Sequence, residues 1–224
     1  MKNHTNMITQ NKLAAASLLL MALSYMTLMV IYGAILVMPE GLSDVEKLAF
    51  SAEHAGLINF TYIAGYILFS VFLVLVNIAT KSIMEVESEL LAKATHAFGL
   101  IWAVLLVSAG LIAISSTNLI ANNVLAIDTA LAYYHTSNLL TEALGGGIEF
   151  IGGAWILLIG AFGFYTRAFG RLFSGFSFLK GAIGIATLFS TEMVLRVAFG
   201  LTGVIWFIWF AIALLQYNKQ VKAV

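Results

Sequence analysis

The sequence predicts an all-α, polytopic membrane protein, a bundle of six transmembrane helices with both termini cytoplasmic. Three observations carry this prediction. Of 224 residues, 61% are hydrophobic and only 10% charged, against roughly 25% charged in a soluble domain. Six apolar stretches, 13–37, 55–80, 95–116, 145–165, 178–196 and 199–217, come close to or exceed the ~20 residues a spanning helix needs. Basic residues, finally, gather in alternate connections.

Taken in order, the first stretch follows Lys2 and Lys12. Its apolar run exceeds the ~7–15 residues of a secretory signal and no small-residue cleavage pattern follows it, so it reads as a retained helix. Pro39, the only proline, stops that helix without breaking it. Lys81 and Lys93 join the second and third stretches, Arg167, Arg171 and Lys180 join the fourth and fifth, and Lys219 and Lys222 follow the sixth. Of the eleven basic residues, that leaves only Lys47 and Arg196 for the other side. By the positive-inside rule the crowded side is cytoplasmic. The opposite segments are acidic, with Glu40, Asp44, Glu46 and Glu53 in the first outer loop and Asp128 and Glu142 in the second.

No loop, including the longest at 117–144, reaches the ~40 residues at which unaided folding begins, so residues 1–224 form one membrane domain. Continuous apolar runs exclude the alternating pattern of a barrel, and no internal repeat is visible. Within the second outer loop, Asp128, His135 and Glu142 recur every seventh residue, opposite Val124, Ile127, Leu131 and Tyr134. This predicts an outer amphipathic helix at 124–142, lying on the membrane or over the bundle mouth.

Several function classes fall away. A net charge of zero offers no basic surface for nucleic acid. The absence of Cys removes thiol nucleophiles, thiol redox pairs and thiolate metal sites. There is no P-loop, no GxSxG elbow near a histidine and no HExxH; Glu192 stands alone, without the paired glutamates of an intramembrane protease. No catalytic set, resident metal or cofactor is therefore expected. The one weak metal set is His54, His135 and Glu142 in the outer loops. His96 falls at the opposite membrane face, which excludes histidines paired across a haem.

Ionisable residues inside spans are costly and face protein or a cavity. Glu149, Glu192 and Arg196 are the informative ones. Counted from Gly145 at 1.5 Å per residue, Glu149 lies roughly 6 Å below the outer surface, and Glu192 and Arg196 close the fifth stretch at the same end. Asn59 and Tyr62 enter at a similar depth. One reading is local: Glu192 and Arg196, at i and i+4, pair with each other and steady the rim. The other is an outward-facing polar pocket lined by Asn59, Tyr62, Glu149, Glu192 and Arg196 with His135 above it. In the fourth stretch Gly146, Glu149, Gly153, Gly160 and Gly163 share a stripe suited to close helix approach, and Gly181 and Gly184 make the fifth stretch a natural partner. The Phe-rich segment from Phe162 to Phe178, with Arg167 and Arg171, reads as a headgroup anchor; Trp206 and Trp209 sit deep enough to pack against neighbours.

The second half resembles a family of bacterial six-span integral membrane proteins of unknown function. The likeness rests on the Gly-containing fourth stretch, the turn Phe173-Ser174-Gly175-Phe176 leading to Lys180-Gly181 and Gly184, and Gly203-Val204-Ile205-Trp206-Phe207-Ile208-Trp209 before Leu214-Leu215. It implies six helices and a bacterial inner membrane, and transfers no substrate or site residue. The expected role is a small-molecule or ion binding or transport protein; the alternatives are a non-catalytic membrane subunit or regulator with a membrane-protein partner, and a metal-dependent lipid-modifying enzyme. Membrane lipids are its expected surroundings.

Overall fold

The computed structural model describes the backbone of residues 2–122, 125–190 and 192–222. All regular structure among them is helical: α1 (Lys2–Val30), α2 (Asp44–Glu53), α3 (Ala55–Tyr62), α4 (Phe69–Met84), α5 (Glu89–Ala121), α6 (Ile127–Thr141), α7 (Phe150–Thr166), α8 (Arg171–Ala186) and α9 (Met193–Lys222). Wider π turns extend α1 at Ile31–Ile35, join α3 to α4 at Ile63–Leu68 and extend α6 at Glu142–Gly146.

Five helical runs are long and apolar enough to cross a bilayer: Asn6–Ile35, Ala55–Met84, Glu89–Ala121, Ile127–Thr166 and Met193–Lys219. The chain is thus a multi-pass helical membrane protein. The fifth expected stretch differs from 178–196. Its helix is α8, which starts seven residues earlier, and its 16 residues span about 24 Å, short of the ~30 Å hydrocarbon core. Local backbone explains the shift. Arg167 closes α7 in the left-handed region (φ 60°) and Gly170 (φ 80°) reverses the chain into α8, while Ser190 and Glu192 lie beyond its end.

Six helices close a ring. Each contacts the next in the order α1, α4, α5, α7, α8, α9, and α9 returns to α1. The centre is aromatic: Phe69, Trp102, Trp155, Trp206, Phe207 and Phe210 are all but fully buried. Trp155 lies 5.7 Å from both Trp102 and Trp206, centroid to centroid, at tilted and edge-on angles. Lipid tails are as apolar as these rings, so close packing holds such a core together rather than escape from water. The indole N–H groups of Trp155 and Trp206 are satisfied by Asn77 Oδ1 at 3.1 Å and Ser177 Oγ at 2.8 Å. Asn77 also donates to the His96 carbonyl at 3.0 Å, so the polar groups of this crossing belong to the packing.

The glycine stripe of α7 does what its spacing predicts. A Cβ on Gly153 would stand 2.7 Å from the Gly181 carbonyl oxygen, and one on Gly160 would stand 2.8 Å from Ser177 Cβ. The backbones of α7 and α8 touch.

At one end of the ring, α2 and α6 pack on α5 and on each other. Ser43 and Glu46 form a reciprocal capping box that starts α2. Hydrogen bonds from the Ser43 hydroxyl and then its backbone N–H hold the Glu46 carboxyl below its usual range. The hydrogen bond and charge of Lys47, with a smaller contribution from His135, do the same for Asp44. A helix does form within 124–142, as α6, but its inward face is the small residues Ala130, Ser137 and Thr141 and not the expected apolar stripe. Ile127 is exposed, Leu131 and Tyr134 are half-buried, and Val124 lies outside the described residues.

Candidate functional site

The helix that would have run unbroken from α6 into α7 is interrupted. Gly145 takes φ +123°, a value that L side chains rarely adopt, so the chain leaves the π turn and restarts as α7 after Glu149. A break of this kind at membrane depth is tolerated where protein or a cavity covers it. Here it borders a chamber of ≈ 160 Å³ walled by α1, α4, α5, the π turn at Ile63–Leu68 and the first turn of α9. Tyr25, Tyr66, Phe69, Glu149 and Arg196 supply its side-chain chemistry.

The glycines let those side chains approach. A Cβ on Gly146 would meet the Tyr66 hydroxyl at 2.9 Å, and one on Gly147 would meet Arg196 Cζ at 2.9 Å. Arg196 Nη1 donates to Glu142 Oε1 at 2.8 Å, and its Nε is buried without a hydrogen-bond partner. Glu149 is half-buried; its backbone N–H donates to Thr187 Oγ1 at 2.8 Å, while its carboxylate oxygen Oε2 is fully covered and unpartnered. Arg196 also lines a larger, adjoining cleft of ≈ 570 Å³ with Glu142, Thr187 and Ser190. The Glu142–Arg196 pair therefore stands at the boundary between cleft and chamber.

One buried cation outside the chamber lining has no counterpart in the sequence reading. Lys180, expected among the loop cations, is completely buried on α8. Its Nζ donates to the Phe199 carbonyl at 2.8 Å and sits 3.4 Å from the centroid of the Phe199 ring. Glu149 is the carboxylate within electrostatic reach of it.

Of the six expected pocket residues, Glu149 and Arg196 share the chamber. Tyr62 stands beside it, its ring 5.2 Å from that of Tyr66, and faces a second cavity of ≈ 220 Å³ with Tyr32 and Tyr134. Asn59 is set apart, donating to Asn118 Oδ1 at 2.7 Å. His135 lies on the exposed α6–α2 surface, with Nε2 3.3 Å from Asp44 Oδ2. Glu192 is not within a span: it is exposed in the segment before α9, so the expected i, i+4 pairing on one helix gives way to the Glu142–Arg196 bond. Nor do His54, His135 and Glu142 converge. His54 Nδ1 lies 2.9 Å from the Phe50 carbonyl, and among the described residues no group of three or more potential ligands could hold a metal.

The residues missed from sequence are Tyr25, Tyr66 and Lys180. Tyr25 and Tyr66 lie in apolar runs where an aromatic ring reads as packing, and only the break at Gly145 exposes them to a chamber. Comparison of the chain with protein-family models, curated proteins and solved structures finds no match.

Proposed function

We propose that the protein is a six-span bundle of a bacterial inner membrane, both termini cytoplasmic, that binds a small molecule or ion in the Glu149–Arg196 chamber as part of its transport. One observation carries the reading: two charged residues 47 positions apart in the chain line one small interior space, each with a buried polar atom lacking a partner. Buried polar groups are almost always satisfied, so such atoms mark a place where a ligand or water belongs.

In this arrangement α8 is the sixth crossing and the α2/α6 end faces outward. Lys180 leaves the count of loop cations, yet Lys2, Lys12, Lys81, Lys93, Arg167, Arg171, Lys219 and Lys222 still oppose only Lys47 and Arg196. Glu142, on the π turn, closes the chamber from the cleft side.

Two measurements test the proposal. Because the chain has no Cys, single-cysteine variants carry no background. Ser190→Cys and Asn138→Cys are expected to react with an impermeant thiol reagent from outside, Lys93→Cys and Lys219→Cys only from inside. A broad panel of small solutes and inorganic ions is then screened for thermal stabilisation of the purified protein, and a stabilising solute should lose its effect in Arg196→Gln. Reversed labelling overturns the orientation, and a panel without any Arg196-dependent solute overturns the chamber as a binding site.

A further inference from the structure

The chamber lining carries one acid and one base, Glu149 and Arg196, and each has a neighbour of opposite sign outside the lining, Lys180 and Glu142. Two have their bonds: Glu142 holds Arg196 Nη1, and Lys180 holds the Phe199 carbonyl. Left over are one acceptor, Glu149 Oε2, and one charged donor, Arg196 Nε. They belong to walls of the same space. A guest that satisfies both residues must offer a cationic N–H to the Glu149 carboxylate and an anionic oxygen to the Arg196 guanidinium. A bare cation or a bare anion would satisfy one wall and leave a net charge in a low-dielectric interior, which is costly. A dipolar ion leaves the sum unchanged.

Size narrows the class further. A cavity of about 150 Å³ takes a guest the size of benzene, about six heavy atoms, and this chamber measures ≈ 160 Å³. Sugars, nucleotides and phospholipid headgroups are too large for it. Tyr25 and Tyr66 line the same chamber as Glu149, and aromatic rings favour an ammonium. The planar guanidinium is the better-shaped partner for a carboxylate.

We infer that the chamber binds a small zwitterion the size of the simplest amino acids, its ammonium on Glu149 between Tyr25 and Tyr66 and its carboxylate on Arg196. This rests on the chamber being a binding site and names what that site takes.

The test uses the full chain in lipid nanodiscs, with binding read by calorimetry and by thermal unfolding. The probes are glycine and β-alanine, the single-charge analogues methylammonium and acetate, and the oversized zwitterion phenylalanine. Glycine or β-alanine is expected to bind saturably and at least about tenfold more tightly than either analogue, since each analogue forfeits one charged hydrogen bond; phenylalanine should not bind. Glu149→Gln and Arg196→Lys are each expected to weaken the zwitterion by about tenfold or more. Should Glu149→Gln fail to fold, Tyr66→Leu, which removes the ring beside the ammonium, is expected to weaken it as well. Acetate or methylammonium binding as tightly as the zwitterions, with the same residue dependence, overturns the zwitterion and leaves the binding chamber standing. Silence from all five probes also overturns it; the chamber itself falls only if the wider panel of solutes and ions is silent too.

Discussion

Gly153→Ala places one methyl group where α7 and α8 touch. The new Cβ would stand 2.7 Å from the Gly181 carbonyl oxygen, 3.0 Å from the Ile185 nitrogen and 3.1 Å from the Gly184 carbonyl carbon. All three are backbone, so no side chain can swing away. The helices must part by about 0.7 Å to restore the 3.4 Å of ordinary contact, a gap that forfeits about a quarter to a half of each dispersion contact along the seam. The seam includes Gly160 against Ser177 and Gly163 against Ser174 Oγ, and overpacking of this kind costs about 1–3 kcal/mol. Gly175→Ala is the matched control, in the same pair of helices at an exposed position with nothing within 4 Å of the added methyl; helix propensity there favours Ala by about 0.5–1 kcal/mol. Thermal unfolding of the purified protein in one detergent compares the two. Equal stability of Gly153→Ala and Gly175→Ala would refute backbone contact as the basis of the α7–α8 seam.

Glu149→Gln and Lys180→Met are each expected to destabilise, and the double variant by less than their sum by about 1 kcal/mol or more, because each single change strips the other buried charge of its counterpart; strict additivity in a double-mutant cycle would show that the two charges do not interact. Ser177→Ala leaves the buried Trp206 N–H without its 2.8 Å acceptor and should cost about 1–3 kcal/mol, measured by the same unfolding assay. Acid should unravel the start of α2. The carboxyls of Asp44 and Glu46 are held below their usual values by Lys47 and by Ser43, so what they lend to α2 is complete above the ordinary carboxylate range and is lost as pH falls through those lowered values. Carbon chemical shifts of residues 43–47 followed from about pH 6 to about pH 2, either side of the usual carboxylate range of about 4, read this directly, and an unchanged helix at the acid end would contradict it.

Much of the architecture lies open in the sequence, because a spanning helix is a local, compositional fact. Continuous apolar runs mark α1, the α3–α4 segment, α5 and α9, and glycine spacing on α7 names its face toward α8. The failures share a different origin. Phe173, Ser174 and Ser177 read as a loop between cations, whereas two left-handed residues, Arg167 and Gly170, turn the chain early and start α8 at Arg171. Lys180 then falls inside a helix, and its placement depends on a carbonyl and a ring contributed by Phe199 on another helix. Proximity in sequence favoured Glu192 as the partner of Arg196; α9 begins only at Met193, and the partner comes from Glu142, 54 residues away. The glycine neighbours of Glu149 point to the interior, but the chamber beside it borders the break at Gly145 (φ +123°), which no apolar pattern encodes.

The three π turns have a consequence for how this chain is counted. The turn at Ile63–Leu68, with helix on both sides, holds one residue more than an α turn would, which rotates α4 by roughly 100° against the period of α3; the other two close the helix they extend. Two of them, at Ile63–Leu68 and Glu142–Gly146, contribute Tyr66 and Gly145 to the chamber wall, and the third begins three residues after Leu28, another wall residue. A helical wheel drawn through Ala55–Met84 assigns the residues on the far side of Ile63–Leu68 to the wrong face. Faces in this protein have to be numbered outward from the chamber, separately on each side of its rim.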